Sequence, residues 1–183
     1  MPPPLSPAVT GQPIEIGPGL RGYLDGHGPP LLLVHSVNAA ASAAEVRPLH
    51  QHYRTSHTVL SVDLPGFGIS DRSNTSYTPR LMTNAVLAAA QALSSRTGGG
   101  GVDALAVSLS CEFLARAASD HIAHHDHRHR CAVAFEEACP VRATAQRPQA
   151  RARHVDEHPV ELPRVLDAGS AAVAGVHLDG PVG

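Results

Sequence analysis

The sequence has no tryptophan and no lysine, and only three phenylalanines and three tyrosines in 183 residues. A core with so few large rings has to rest on Leu, Val and Ala. At 43% hydrophobic residues that is a globular composition, not a disordered one. Neither sign of charge is in excess: the formal net charge is −2. This removes the electrostatic case for nucleic acid or an anionic membrane as a partner. The fourteen cationic side chains other than histidine are all arginine, a mark of GC-rich coding. Cysteine is scarce. Cys111, Cys131 and Cys139 are odd in number, and their spacing fits no zinc template, so neither a disulfide framework nor a structural zinc is indicated. No apolar run approaches membrane-spanning length. The start, MPPPLSPAVTGQP, has no basic region followed by an apolar one, so no secretory signal is expected. These absences together predict a soluble cytoplasmic protein.

What is present is a set of short apolar runs between turn residues. Residues 1–12 are proline-rich and are expected to be disordered. Pro13 to Ile16 and Leu20 to Leu24, around Gly17-Pro18-Gly19, read as an antiparallel pair of strands. Leu31-Leu32-Leu33-Val34 is a continuous apolar run of the kind that a strand buried on both faces requires, and Thr58 to Val62 reads as a second buried strand. Val102 to Val107 is a third. Helices are expected over Ala39 to Tyr53, over Pro79 to about Leu93, where Thr78 caps and Pro79 takes the first helical position, and over Cys111 to Ala118. Alternating strands and helices predict an α/β domain over residues 13–118, with a doubly wound, mostly parallel sheet and right-handed crossovers.

The third run leads into the chemistry. VDALAVSLSCEFLARAA (102–118) reads as a buried strand, a sharp turn carrying Ser108, then a helix. Such an elbow exposes a serine above the sheet edge and turns the next N–H, that of Leu109, into the site at a helix N-terminus. It needs small residues two before and two after the serine, here Ala106 and Ser110. The alternative is an ordinary junction serine that caps the helix.

Three segments in this order resemble the N-terminal half of an α/β-hydrolase. PPLLLVHS (29–36) resembles the strand and His-Gly element, with Ser36 in place of glycine. VLSVDLPGFGISD (59–71) resembles the family's strand and D-x-P-G-x-G-x-S loop. VDALAVSLS (102–110) resembles the nucleophile strand and elbow, with Ala and Ser where G-x-S-x-G has glycines. The resemblance covers roughly residues 22–118. It implies a serine hydrolase of an ester or similar acyl bond in a small molecule, with Ser108 as nucleophile and no cofactor. The N–H groups of Val37 and Leu109 would form the oxyanion hole, and Asn38 would lie near the entrance. His35 and Asp63 are expected to brace their loops, Asp103 to be a solvated residue at a strand start, and Cys111 to be buried and inert.

The acid and base should follow the serine in chain order. Residues 119–183 have a different texture: they hold eight of the thirteen histidines and seven of the fourteen arginines, and no run comparable to LLLV. A poorly folded tail on an incomplete, truncated hydrolase is expected, with an out-of-frame translation as one explanation. Candidate acids are Asp156 and Asp167, and candidate bases are His154, His158 and His177. Asp167 before His177 has the right order but a short spacing. Two other function classes stay open. One is a non-catalytic binding protein of the same fold. The other is a metal-binding tail, since His121/His125 and His125/His129 lie at helical i, i+4 spacing. Against the latter stands an exposed histidine-rich run with only adventitious metal affinity.

Overall fold

A computed structural model describes residues 7–73 and 76–120 with their side chains, and 121–124, 133–136 and 173–178 as backbone. Seven strands form one sheet in the order β1-β2-β4-β3-β5-β7-β6. They are β1 Gln12–Gly17, β2 Leu20–Gly26, β3 Pro30–Val34, β4 Thr58–Asp63, β5 Val102–Val107, β6 Val133–Glu136 and β7 Val173–Leu178. The helices are α1 Arg47–Tyr53, α2 Pro79–Arg96 and α3 Ser110–His124. The α/β class expected from the sequence is the one observed. β4, β3 and β5 pair in parallel, and the strands outside them pair antiparallel.

The three central runs are mostly apolar because both faces of the sheet are covered. Leu32 and Val34 of β3, Leu60 and Val62 of β4, and Ala104 and Ala106 of β5 pack on one face against α2 and α3. Leu31 and Leu33, Val59 and Leu105 point the other way, against Val46, Leu49 and Tyr53 of the α1 layer. Successive strand residues face opposite sides, so a strand covered twice admits a polar residue only where a buried partner meets it, as His50 meets Ser61. Each fully buried Leu or Val contributes roughly 1.5–3 kcal/mol of transfer free energy. Thr78 caps α2 through its hydroxyl, which accepts from Leu81 N, and Pro79 begins the helix.

Four local expectations are corrected. Residues 39–46 form turns, not helix. Asn38 Oδ1 accepts from Ala40 N, Asp63 Oδ1 accepts from Ala43 N, and Ser42 O accepts from Glu45 N. These bonds satisfy the backbone in a non-helical path, as short polar side chains do in competition with a helix. Part of the N-terminal stretch is packed: Val9 is buried with Tyr23 and Ala43, and Arg47 Nε donates to Ala8 O. α3 runs beyond Ala118, supported by the Glu112–Arg116 pair one turn apart and by Arg80–Asp120 at 2.6 Å across to α2. Residues 119–183 contribute two strands, with β7 antiparallel to β5 and β6 antiparallel to β7. No helix among the described residues is long and apolar enough to cross a membrane.

Candidate active site

The three parallel strands end at one edge of the sheet, and the loops that leave them carry every polar group of the site. This is where open α/β sheets place ligands.

Ser108 follows β5. Its φ is +57°, the only positive value at a non-glycine residue among those described. An L-residue in this region is strained by roughly 1–3 kcal/mol and needs its surroundings to hold it there. α3 begins two residues later, and the turn closes by Cys111 N donating to Ser108 O at 3.0 Å. Ser108 is exposed, and Leu109 is 47% exposed, the opposite of what a buried junction would show. The Ser108 hydroxyl makes no hydrogen bond to another described residue, and neither does the N–H of Leu109. Ala106 is fully buried, and Cys111 Sγ lies 3.3 Å from Ala106 O inside the same turn.

The loop after β3 begins with a buried histidine. His35 Nε2 accepts from Leu64 N at 3.0 Å, so Nδ1 carries the proton and donates to Ser36 O at 2.6 Å. Both nitrogens are engaged, and Phe67 meets the ring edge-on at 5.2 Å. Burial pushes the His35 pKa below the ordinary histidine value, more than Ser36 and the carboxylates of Asp63 and Glu45 pull it up. The ring is therefore a neutral structural clamp. Ser36 is buried as well. Its N–H and hydroxyl donate to the two carboxylate oxygens of Glu45, each at 2.7 Å, and its Oγ accepts from Asn38 Nδ2 at 2.6 Å. The next N–H, that of Val37, has no partner among the described residues.

The loop after β4 is built around Asp63. Its carboxylate accepts from Ala43 N at 2.6 Å and from Ile69 N at 2.9 Å, joining two loops in the core. Gly68 is required here: its φ is +49°, and a Cβ would run into the Asp63 carboxylate. Ser70 closes the loop from Oγ to Asp63 O at 2.5 Å. The D-x-P-G-x-G-x-S spacing is thus the spacing of one carboxylate and the backbone it folds over itself.

At the opposite edge lies a second buried histidine. His50 Nδ1 is 2.8 Å from Ser61 Oγ, while Nε2 is buried without a hydrogen bond, 3.6 Å from Asp25 Oδ2. Burial again lowers the pKa, against the pull of Asp25. Burial raises the Asp25 carboxyl, but hydrogen bonds from Arg54, Thr10 and the Gly26 N–H outweigh it and bring its pKa to about 2. Ser61, His50 and Asp25 form a serine–histidine–aspartate sequence of contacts. Yet Ser61 and His50 have no exposed surface, which leaves no room for a substrate.

The structure brings Ser108, Val37 and Leu109 to one edge of the sheet. It does not bring His177 there. β7 pairs His177 with Asp103, near the start of β5, five residues before Ser108. At about 3.3 Å per residue that is roughly 16 Å along the strand, beyond hydrogen-bond reach. Asp156, Asp167, His154, His158, and the metal-spacing residues His125, His127 and His129 lie outside the described residues. Among the described residues no group of three metal-ligating side chains is assembled. Glu45 was missed from the sequence, although it is the sole charged residue between His35 and Arg47.

No family model matches this chain, and no curated protein does. Among solved structures, the crystal structure of E-2-(acetamidomethylene)succinate hydrolase superposes with a TM-score of 0.50 at 23% identity, over 61% of this chain. The chain spans 40% of the length of that enzyme. At this identity the likeness speaks to the fold alone.

Proposed function

We propose that this chain is a serine hydrolase of the α/β-hydrolase type, acting on an ester or similar acyl bond of a small molecule through Ser108. The observation that carries the reading is the exposed Ser108 at φ +57°, with two unused N–H groups, those of Val37 and Leu109, on the loops beside it. In the first step Ser108 Oγ bonds to the carbonyl carbon, the carbonyl π electrons move to oxygen, and the hydroxyl proton passes to solvent water. The two N–H groups receive that oxyanion, a contribution of about 2.7–4 kcal/mol per donor in acyl transfer. Collapse expels the leaving group and leaves an acyl-serine.

Among the histidines whose side chains are described, none serves as the base. His35 has both nitrogens engaged in the core. His50 bonds Ser61, and His27, His52 and His57 lie by the amino ends of the parallel strands. A hydroxyl with only these groups around it is a poor nucleophile, and slow turnover is expected. An activated aryl ester avoids the need to protonate the leaving group and is the substrate to use. With p-nitrophenyl acetate, wild type is expected to release up to one equivalent of p-nitrophenol as Ser108 becomes acylated, and Ser108→Ala none above background. That no base is assembled beside Ser108 among the described side chains favours a second reading, a non-catalytic binding protein of the same fold. Equal background rates in wild type and Ser108→Ala would establish it over the first.

A further inference from the structure

The last two peptide units before Val37 carry four polar groups, which are unequally occupied. In the His35–Ser36 unit the C=O accepts from Ser110 Oγ at 2.6 Å and the N–H donates to Glu45 Oε2 at 2.7 Å. In the Ser36–Val37 unit the C=O accepts from His35 Nδ1 at 2.6 Å, and the N–H alone is free. Neither peptide is cis, so C=O and N–H point opposite ways. Holding the Ser36 carbonyl against the buried ring therefore turns the Val37 N–H away from it. Ser36 cannot rotate out of this arrangement while Glu45 holds its N–H and hydroxyl together and Asn38 donates to the same hydroxyl.

The contact from Ser110 ties this loop to the elbow. Ser110 is fully buried, starts α3 and stands two residues after Ser108. Ser36 and Ser110 stand where the motifs they resemble carry glycine, and in both the added hydroxyl makes a bond that glycine could not. Glu45 is an exposed loop residue that spends both carboxylate oxygens on Ser36 and supports no core contact of its own.

We propose that Glu45 and Ser110 are positioning residues: they clamp the His35–Ser36 peptide from its two ends and so fix the Val37 N–H relative to the Leu109 N–H for the developing oxyanion. The proposal rests on Ser108 being the nucleophile, and its test separates the two. Misplacing a donor costs less than deleting one, which lowers kcat by about 10²–10³.

The test measures Ser108 acylation by p-nitrophenyl acetate under single-turnover conditions, alongside thermal unfolding, in Glu45→Gln, Glu45→Ala and Ser110→Ala. Glu45→Ala should acylate about 10–100-fold more slowly at saturating ester, with the ester concentration at half-maximal rate unchanged. Glu45→Gln, which keeps one acceptor, should fall between it and wild type. A wild-type rate in Glu45→Ala, or a loss confined to ester affinity, overturns the proposal. If Glu45→Ala does not fold, Glu45→Gln and Ser110→Ala carry the same comparison. If wild type itself is not acylated, the nucleophile reading has failed, and the clamp is judged by NMR. The order parameter of the Val37 amide must drop in the Glu45 variants if the clamp exists, and an unchanged value overturns it.

Discussion

His35 and His50 are both fully buried, both neutral, and lie toward opposite edges of the same sheet. Around His35 the hydrogen bonding is complete: Leu64 N–H donates to one nitrogen and the other donates to Ser36 O. Around His50 it is incomplete, because Nε2 faces Asp25 at 3.6 Å without bonding it. The complete network fixes backbone direction beside Ser108. The incomplete one fills space between α1 and β4. Burial and residue type are the same in both, so neither separates a site from its scaffold. What separates them is whether the bonds end on groups that a substrate can reach.

The largest expected effect comes from cutting the complete network. His35→Leu removes an acceptor and a donor at once, leaving Leu64 N–H and Ser36 C=O unsatisfied in the core. We expect a loss of roughly 3–5 kcal/mol by urea unfolding, from two orphaned polar groups of about 1–3 kcal/mol each. His50→Leu removes one hydrogen bond together with an orphan atom, so its cost should stay below about 1.5 kcal/mol, and His50→Leu with Ser61→Ala should be near neutral. Equal losses in the two Leu variants would break the comparison.

A smaller effect is expected with pH. Burial holds both histidines below their ordinary value of 6.5 in the folded chain. Below that pH the unfolded chain binds more protons than the folded one. The stability from the neutral rings is therefore full above about pH 6.5 and falls as the pH drops toward the folded-state values, by at most about 1.4 kcal/mol per pH unit for each ring. Thermal midpoints recorded from pH 7.5 to 5 should decline, and His50→Leu should flatten that decline. Asp25, held at about 2 against an ordinary 3.8, extends the loss only below about pH 4. The smallest effect belongs to Arg54, whose half-exposed side chain pairs with Asp25 at 2.6 Å. Arg54→Ala should cost under about 1 kcal/mol, and less at high salt.

The sequence made the central strands readable because burial on both faces leaves LLLV wholly apolar and admits inside TVLSV one buried polar residue, Ser61, which His50 satisfies. The loop after β4 was readable because one carboxylate, that of Asp63, closes on Gly68 and the Ile69 N–H and so fixes its spacing. The stretch from 39 to 46 was misread as helix because its alanines carry helix propensity, while Asn38 and Asp63, outside or far from it, decide its path. Glu45 was not legible because its partner, Ser36, is nine residues away and its role exists only once the loop closes. Val9 was hidden among prolines. β6 and β7 hold short runs of mostly small apolar residues unlike LLLV, and their pairing depends on the free side of β5, which no local pattern reports.

The central claim is that Ser108 is held as a nucleophile, and the most direct test is covalent labelling with a fluorophosphonate followed by peptide mass mapping. The account predicts a phosphonyl adduct on the peptide that carries Ser108, absent in Ser108→Ala. Wild type left unmodified, or labelled equally well with Ser108 replaced, would contradict it.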